Sequence, residues 1–261
     1  MTAAAPMVAA EIVDGVLNAT INRPEKRNAL SRALLGELKR VFLDSAGADG
    51  LRIAVLRGAG DKSFAAGGDL RELAQVRTPE DARRMADDMH DALDAIRFFP
   101  VPVVAALNGD ALGGGAELAV ACDFRVAASH SRIGFIQGRL NIATAWGGGE
   151  DLMRLIGSAK ALRLLAASEL LDAAAALDLG LLDAAGAAGE PLQAVVDRFI
   201  APFRQQAPQV LRAFKALAAA TRKGLPGTAV REIETRHLVE TWVHPDHWQA
   251  ADRVLEAKRP T

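Results

Sequence analysis

The chain has 261 residues, half of them hydrophobic and 24% charged, enough apolar mass for one large core or two smaller ones. Its 31 basic and 32 acidic residues leave a formal charge of −1, which excludes the broad basic surface that nucleic acid or an anionic membrane would require. One cysteine, Cys122, excludes an intrachain disulfide framework and a cysteine-rich metal site, and it suits a reducing, cytoplasmic setting.

The opening MTAAAPMVAAEIVDG lacks the basic start of a signal peptide, and no later apolar run reaches the length of a membrane span. The first elements predict a hairpin. Asp14-Gly15 is a two-residue turn signal, and Leu17, Ala19 and Ile21 alternate with Asn18, Thr20 and Asn22 as in a half-buried strand that Pro24 stops. Ser31 caps a helix whose Leu34, Leu35, Leu38, Val41 and Phe42 recur at helical spacing. The run 53–56 predicts a buried strand, followed by the loop RGAGDKSFAAGGD and a helix from about Asp69. Thr78-Pro79-Glu80-Asp81 supplies a capping hydroxyl, a first-turn proline and acids facing the dipole, so a helix runs from there to about Phe98, before Pro100 and Pro102. Residues 103–107 and 124–128 predict two further strands. Strand, loop and helix alternate, which predicts an α/β fold with mostly parallel strands. No tandem repeat is visible. Near Ala184 the pattern changes. AAGAAGEP is expected to be a flexible stretch, and helices follow at about 191–203, 208–222, 228–241 and 246–257. Residues 1–190 are therefore expected to form the core. Residues 191–261 form a helical region too small to bury its apolar faces alone, which packs on that core or on a neighbouring subunit.

Two glycine-rich loops each follow a strand and open a helix: Ala65-Ala66-Gly67-Gly68-Asp69 and Gly113-Gly114-Gly115-Ala116-Glu117. Glycine allows close backbone approach, and a helix N-terminus offers unpaired N–H groups with a partial positive charge. Two such amides aimed at one point would stabilise an oxyanion. Glycine used only for turn geometry is the plainer alternative for either loop alone. Neither loop has the Gly-Lys-Ser/Thr of a phosphate-binding loop.

The stretches KSFAAGGDLREL and NGDALGGGAELAVACDFRVA, with NRPEKRNAL near the start and LEAKRP near the end, resemble the enoyl-CoA hydratase/isomerase family, the crotonases. The resemblance implies a spiral of ββα units, a C-terminal helical trimerisation region, and a homotrimer or dimer of trimers. It implies an acyl-CoA substrate, with coenzyme A entering as part of that substrate and no separate cofactor or metal. The amides that would polarise the thioester carbonyl belong to Gly68 and Gly114. Lys26, Arg27 and Ala29 match the CoA-binding segment, and Ala66 matches the residue at the adenine end. Gly67, Asp69 and Leu70 flank Gly68 in the same motif and are counted with the substrate-binding residues; Asp69 and Asp123 also suit capping or bridging of backbone.

Hydratases of this family carry two glutamates twenty positions apart. The first matches Glu117; the second position is Gln137, in RIGFIQ. Glutamine holds groups by hydrogen bonds but does not titrate. The family's LGIxPGxGG becomes Leu140-Asn141-Ile142-Ala143-Thr144-Ala145-Trp146-Gly147-Gly148, with an indole before the glycine pair. RIGFIQ, WGG and TPEDARRM resemble the branch that decarboxylates methylmalonyl- and ethylmalonyl-CoA. Decarboxylation needs the enolate-stabilising amides but no second carboxylate, so an amide at Gln137 suits it and was expected to orient the departing carboxylate. Decarboxylation of a small 2-carboxyacyl-CoA is favoured over hydration or isomerisation of a 2-enoyl-CoA. A non-catalytic CoA- or RNA-binding protein is the alternative of another class, and the absence of net basic charge speaks against RNA. His244-Pro245-Asp246-His247 reads as a helix start and not a metal site, and Cys122 as a buried structural thiol.

Overall fold

The computed structural model describes residues 6–257. The first five residues of the N-terminal stretch and Lys258-Arg259-Pro260 of LEAKRP lie outside the described residues.

The strands are β1 (Val8–Val13), β2 (Val16–Ile21), β3 (Ile53–Gly58), β4 (Ser63–Ala65) and β5 (Val103–Leu107), then β6 (Asp110–Leu112), β7 (Phe124–Ala127), β8 (Arg132–Gly134), β9 (Leu170–Asp172) and β10 (Ala184–Ala185). The helices of the first half are α1 (Arg32–Ser45), α2 (Leu70–Leu73), α3 (Pro79–Arg97), α4 (Gly114–Ala121) and α5 (Gly148–Ile156). Then come α6 (Ser158–Ala167), α7 (Ala173–Asp178), α8 (Leu192–Arg204), α9 (Pro208–Arg222), α10 (Gly227–Trp242) and α11 (Pro245–Ala257).

A repeating unit organises these elements. β3, β5 and β7 pair in parallel within a six-stranded sheet of order β1-β2-β3-β5-β7-β10. Their successors β4, β6 and β8 pair in parallel within a four-stranded sheet that β9 closes antiparallel. Each unit thus places one strand in each sheet before its helix, the expected spiral of ββα turns. Of the strands of the second sheet, β4 lies in the stretch RGAGDKSFAAGGD expected as loop, and the others have no counterpart among the expected strands. At three residues each, they are too short for a periodic pattern, and the neighbouring turn aligns them.

Local chemistry sets the element ends where the sequence predicts. Asp14 and Gly15 both take positive φ, 50° and 75°, the two-residue turn that matches the twist of paired strands. The Ser31 and Thr78 hydroxyls accept the N–H groups of Leu34 and Asp81. His244 Nδ1 accepts the Asp246 N–H at 3.2 Å, so this histidine starts α11.

Alternation along the large sheet divides the core. Leu17, Ala19, Ile21, Ala54, Leu56, Val103 and Ala105 join α1, α3 and α4 in one cluster. Val16, Ile53, Val55, Val104, Ala106 and Val126 face the other way and pack against Val195, Val196 and Ile200 of α8. Burying each of those three α8 side chains contributes about 1.5–3 kcal/mol, which fixes α8 to the sheet. The supposedly flexible AAGAAGEP is ordered. Ala184 and Ala185 pair with Val126 and Ala127, and the Glu190 carboxylate accepts the Ala187 N–H at 2.9 Å. Cys122 ends α4, buried, with its thiol pushed up to about 12 by loss of solvent.

Candidate active site

The first glycine loop leaves β4 and is held by the segment 22–30. Ala66 N–H donates to the Arg27 carbonyl at 3.1 Å, Leu30 N–H to Gly67 at 2.8 Å, and Asp69 N–H to Leu30 at 2.9 Å. The segment folds around buried Asn28, whose Nδ2 donates to the carbonyls of Ala59 and Ser63 and whose Oδ1 accepts the Arg23 N–H. Arg23 in turn donates to the Ala29 carbonyl at 2.6 Å and to the Asp69 carboxylate at 3.0 Å. That guanidinium holds the Asp69 carboxyl below its ordinary value, burial opposing. Asp69 sits at the N-cap of α2 without capping it by a side-chain hydrogen bond. Its partners make it a strut of the loop.

The second loop leaves β6, and Gly113 N–H donates to Gly134 at 2.9 Å. Two of its positions admit only glycine. A Cβ at Gly115 would fall 2.0 Å from the Ala65 carbonyl oxygen, because the start of α4 abuts the end of β4. A Cβ at Gly114 would fall 2.1 Å from the Trp146 ring, whose far edge also comes within 3.6 Å of a Cβ position at Gly68. The two loops touch: a Cβ position at Gly67 is 3.7 Å from Gly114 N. Among the described residues, the N–H groups of Gly68 and Gly114 have no hydrogen-bond acceptor.

Between the loops lies a cavity of about 160 Å³. From the first loop Ala66, Gly67, Gly68 and Leu70 line it, and from the second Gly114 and Glu117; Gln137 and Trp146 complete the expected set. Lys26, Arg27, Ala29 and Asp69 do not line it. Lys26 and Arg27 are exposed nearby, the Lys26 ammonium 3.9 Å from Asp69. The remaining wall is apolar, with Leu73, Met85 and Ile136, and its rim carries exposed Leu140 and Ile142. A larger hollow of about 660 Å³ lies among α9, α10 and α11 and borders none of the site residues expected from the sequence.

Glu117 is the one ionisable side chain lining this cavity among the described residues. It lies on α4, which is buried along its whole length. Its Oε1 accepts Gln137 Nε2 at 2.9 Å, and its Oε2 accepts the N–H groups of Trp146 at 2.9 Å and Gly148 at 3.0 Å. Burial raises its pKa above the ordinary glutamate value, and those three donors oppose the rise. Gln137 gives one of its two N–H donors to Glu117 and leaves its carbonyl oxygen, Oε1, buried without a partner.

The donors from Trp146 and Gly148 were not foreseen. The signal was the glycine pair opening α5, where unpaired N–H groups are expected. Behind that turn, Arg97 donates to the Trp146 carbonyl at 2.9 Å and to Asp151 at 2.8 Å, and Arg222 of α9 meets the same Asp151 at 2.9 Å.

The chain is similar to known proteins along most of its length. The profile of the enoyl-CoA hydratase/isomerase family matches residues 11–261. The chain belongs to that family. A probable enoyl-CoA hydratase of Bacillus subtilis is 32% identical over 242 residues, 92% of each chain. The ethylmalonyl-CoA decarboxylase of Pongo abelii is 31% identical over 212 residues, 80% of this chain and 70% of the relative. Among solved structures, an enoyl-CoA hydratase from Bacillus anthracis superposes with a TM-score of 0.88 at 28% identity, covering 98% of both chains. Family membership explains the two-sheet spiral and the helical C-terminal region. Both relatives' names occur within one family, so the name alone does not choose a reaction.

Proposed function

We propose that this chain is an acyl-CoA enzyme that binds a thioester carbonyl between the N–H groups of Gly68 and Gly114, stabilises its enolate there, and removes carbon dioxide from a small 2-carboxyacyl-CoA. The observation that carries the proposal is Glu117, the single ionisable side chain lining the cavity among the described residues, with an amide at Gln137 where hydration would use a second carboxylate. Two free amides facing one cavity suit a developing oxyanion, and each such donor typically contributes about 2.7–4 kcal/mol in a transition state. The indole of Trp146 against Gly114 limits the space beside the carbonyl, which favours a short acyl group. Exposed Lys26 and Arg27 at the mouth suit the phosphates of coenzyme A. Exposed Leu238, Val239, Trp242 and Val243 on α10 and the turn after it support residues 191–261 as the surface of a homotrimer or dimer of trimers. Among the described residues no helix is long and apolar enough to cross a membrane; a cytoplasmic location belongs to the same proposal.

Hydration or isomerisation of a 2-enoyl-CoA is the second reading, favoured by the similarity to the Bacillus subtilis relative along 92% of each chain. Mass spectrometry of reactions with crotonyl-, malonyl-, methylmalonyl- and ethylmalonyl-CoA separates the two, because one adds water and the other loses carbon dioxide. Decarboxylation is expected to dominate in the native protein. Gln137→Glu would set two carboxylates in contact, and it should raise the ratio of hydration to decarboxylation by up to about 10²-fold, the low end of a general acid–base effect. Rapid native hydration that Gln137→Glu reduces would replace the decarboxylase proposal with the second reading.

A further inference from the structure

Arg97 stands at the buried end of α3 with a different partner for each of its three side-chain nitrogens. Nη1 pairs with Asp94 on its own helix, Nε donates to Asp151 of α5 at 2.8 Å, and Nη2 donates to the Trp146 carbonyl at 2.9 Å. A planar guanidinium keeps these three directions fixed relative to one another, which the single ammonium of a lysine does not do. The helix end is itself pinned, because the Arg97 carbonyl accepts the buried Lys215 ammonium at 3.0 Å.

The contact with Trp146 falls at a particular place in the turn 146–148. The Trp146 carbonyl belongs to the peptide between Trp146 and Gly147. The peptides on either side of it carry the Trp146 and Gly148 N–H groups, and both donate to Glu117 Oε2, at 2.9 and 3.0 Å. Planar peptides are joined at their Cα atoms, so holding the middle one restrains the aim of its two neighbours. Gly147 takes φ +87°, and a Cβ on it would fall 2.7 Å from Arg97 Nη2, so the turn lies directly on the guanidinium.

We propose that Arg97 is a positioning residue: by gripping the Trp146 carbonyl it fixes the two backbone N–H groups that hold the Glu117 carboxylate, and so governs how readily Glu117 takes and gives up a proton. Its bearing on catalysis rests on Glu117 being the proton-moving group of the proposed acyl-CoA site. Arg97 does not line the cavity and acts only through the turn.

The sign follows from the balance at Glu117. Burial raises its pKa, and the N–H groups of Trp146 and Gly148 oppose the rise. A turn that drifts from the carboxylate weakens the opposing donors, so the pKa climbs further. The charged groups on the elements packed against α4 have partners of their own. Beside the turn, α3 brings Arg97, Asp94 and His90, the last 3.8 Å from Asp94, and α5 brings Asp151 and the Glu150–Arg154 pair. β6 brings Asp110, paired with Arg132 at 2.5 Å, and β7 brings Arg125, paired with Asp183 at 3.2 Å; β4 carries no ionisable side chain. From α9, Arg222 donates to the carbonyls of Val120 and Ala121 at the end of α4. Among the described residues none of these groups forms a hydrogen bond or ion pair with Glu117, so the turn is the route by which a distant side chain reaches it.

The test is an infrared titration of the protonated-carboxyl stretch in the ligand-free full chain, with the Glu117 band assigned as the one that Glu117→Gln lacks. Arg97→Lys keeps the charge and gives up the three-way fork. Arg222→Lys makes the same exchange in the other guanidinium bonded to Asp151, which among the described residues has no hydrogen bond to the turn. Arg97→Lys should raise the Glu117 midpoint by about one pH unit, the equivalent of weakening one hydrogen bond to a charged group. Arg222→Lys should lower the melting temperature and leave that midpoint unmoved. Equal shifts in the two variants, or no shift in Arg97→Lys, overturn the positioning role, because a joint that only stabilises the fold responds alike to both. Gly147→Ala presses a methyl group toward Arg97 Nη2 and attacks the same contact with both arginines in place. It should raise the midpoint as well, and an unmoved midpoint in folded Gly147→Ala overturns the proposal even if Arg97→Lys does not fold. In the pH profile of turnover, the limb that Glu117→Gln lacks should move up with the midpoint. A shifted titration with an unmoved limb overturns the catalytic reading of Glu117 and leaves the positioning role standing.

Discussion

Glu117 and Asp151 are two buried carboxylates joined through one short turn, 146–148, and the fold treats them in opposite ways. Asp151 shares two guanidinium groups, Arg97 at 2.8 Å and Arg222 at 2.9 Å. The same joint between α9 and the core carries Lys215, whose ammonium donates to the Arg97 carbonyl at 3.0 Å and to Asp123 at 2.5 Å. Among the described residues Glu117 meets no cation in a hydrogen bond or ion pair, and it accepts from two backbone N–H groups and one amide. A buried carboxylate matched by cations serves as a joint. One matched only by dipoles stays closer to the balance between its protonation states, which is the condition for moving a proton.

The same isosteric change made at each carboxylate separates these roles. Glu117→Gln should lower turnover by about 10²–10⁴-fold, the range for losing a general acid–base group, with the circular dichroism spectrum unchanged. A folded variant with full turnover would remove Glu117 from the mechanism. Asp151→Asn should instead act on stability, because Arg97 and Arg222 lose the charge they share. Leaving buried charges unmatched costs about 3–5 kcal/mol, a fall in melting temperature on the order of 10 °C for a domain of this size. Its turnover, measured well below that midpoint, should stay far above that of Glu117→Gln. Equal loss of stability from both substitutions would erase the distinction.

The smallest effect follows from the raised pKa of Glu117. Unfolding returns the group to its ordinary value of 4.5, below its folded one, so between the two the folded state binds more protons than the unfolded state. The contribution of Glu117 to stability is therefore greatest at acid pH, falls as pH rises through that window, and is fully lost above the folded pKa. Glu117→Gln removes this dependence, so its melting temperature relative to the native protein should climb from acid to neutral pH. Parallel melting curves across that range would mean that the donors around Glu117 cancel the effect of its burial.

Much of this contrast was visible in the residues. The loops, Glu117 and the glutamine at position 137 stand out because glycine runs opening helices and a missing carboxylate are local features. The segment 22–30 was legible as part of the site, but its work was not. Arg23 and Asn28 hold the first loop by hydrogen bonds to residues 59, 63 and 69, and such pairings have no local signature. Asp69 shows the difficulty: before a helix it resembles a cap, yet a guanidinium 46 positions earlier claims its carboxylate.

By itself the sequence determined what depends on neighbours along the chain: the Asp14-Gly15 turn, the Ser31 and Thr78 caps, strands β1, β2, β3, β5 and β7 of the large sheet, the helical tail and the glycine loops. Backbone sterics and side-chain periodicity act over a few residues, so they can be read in order. Only the tertiary structure decided what depends on distant partners. It aligned three-residue strands into a second sheet, ordered Ala184 and Ala185 against β7, and set the indole of Trp146 on Gly114. It also surrounded Glu117 with neutral donors and left the carbonyl oxygen of Gln137 buried without a partner. Protonation and amide orientation follow from the groups packed around them in space, and those groups come from positions 117, 137, 146 and 148, which the spiral brings together.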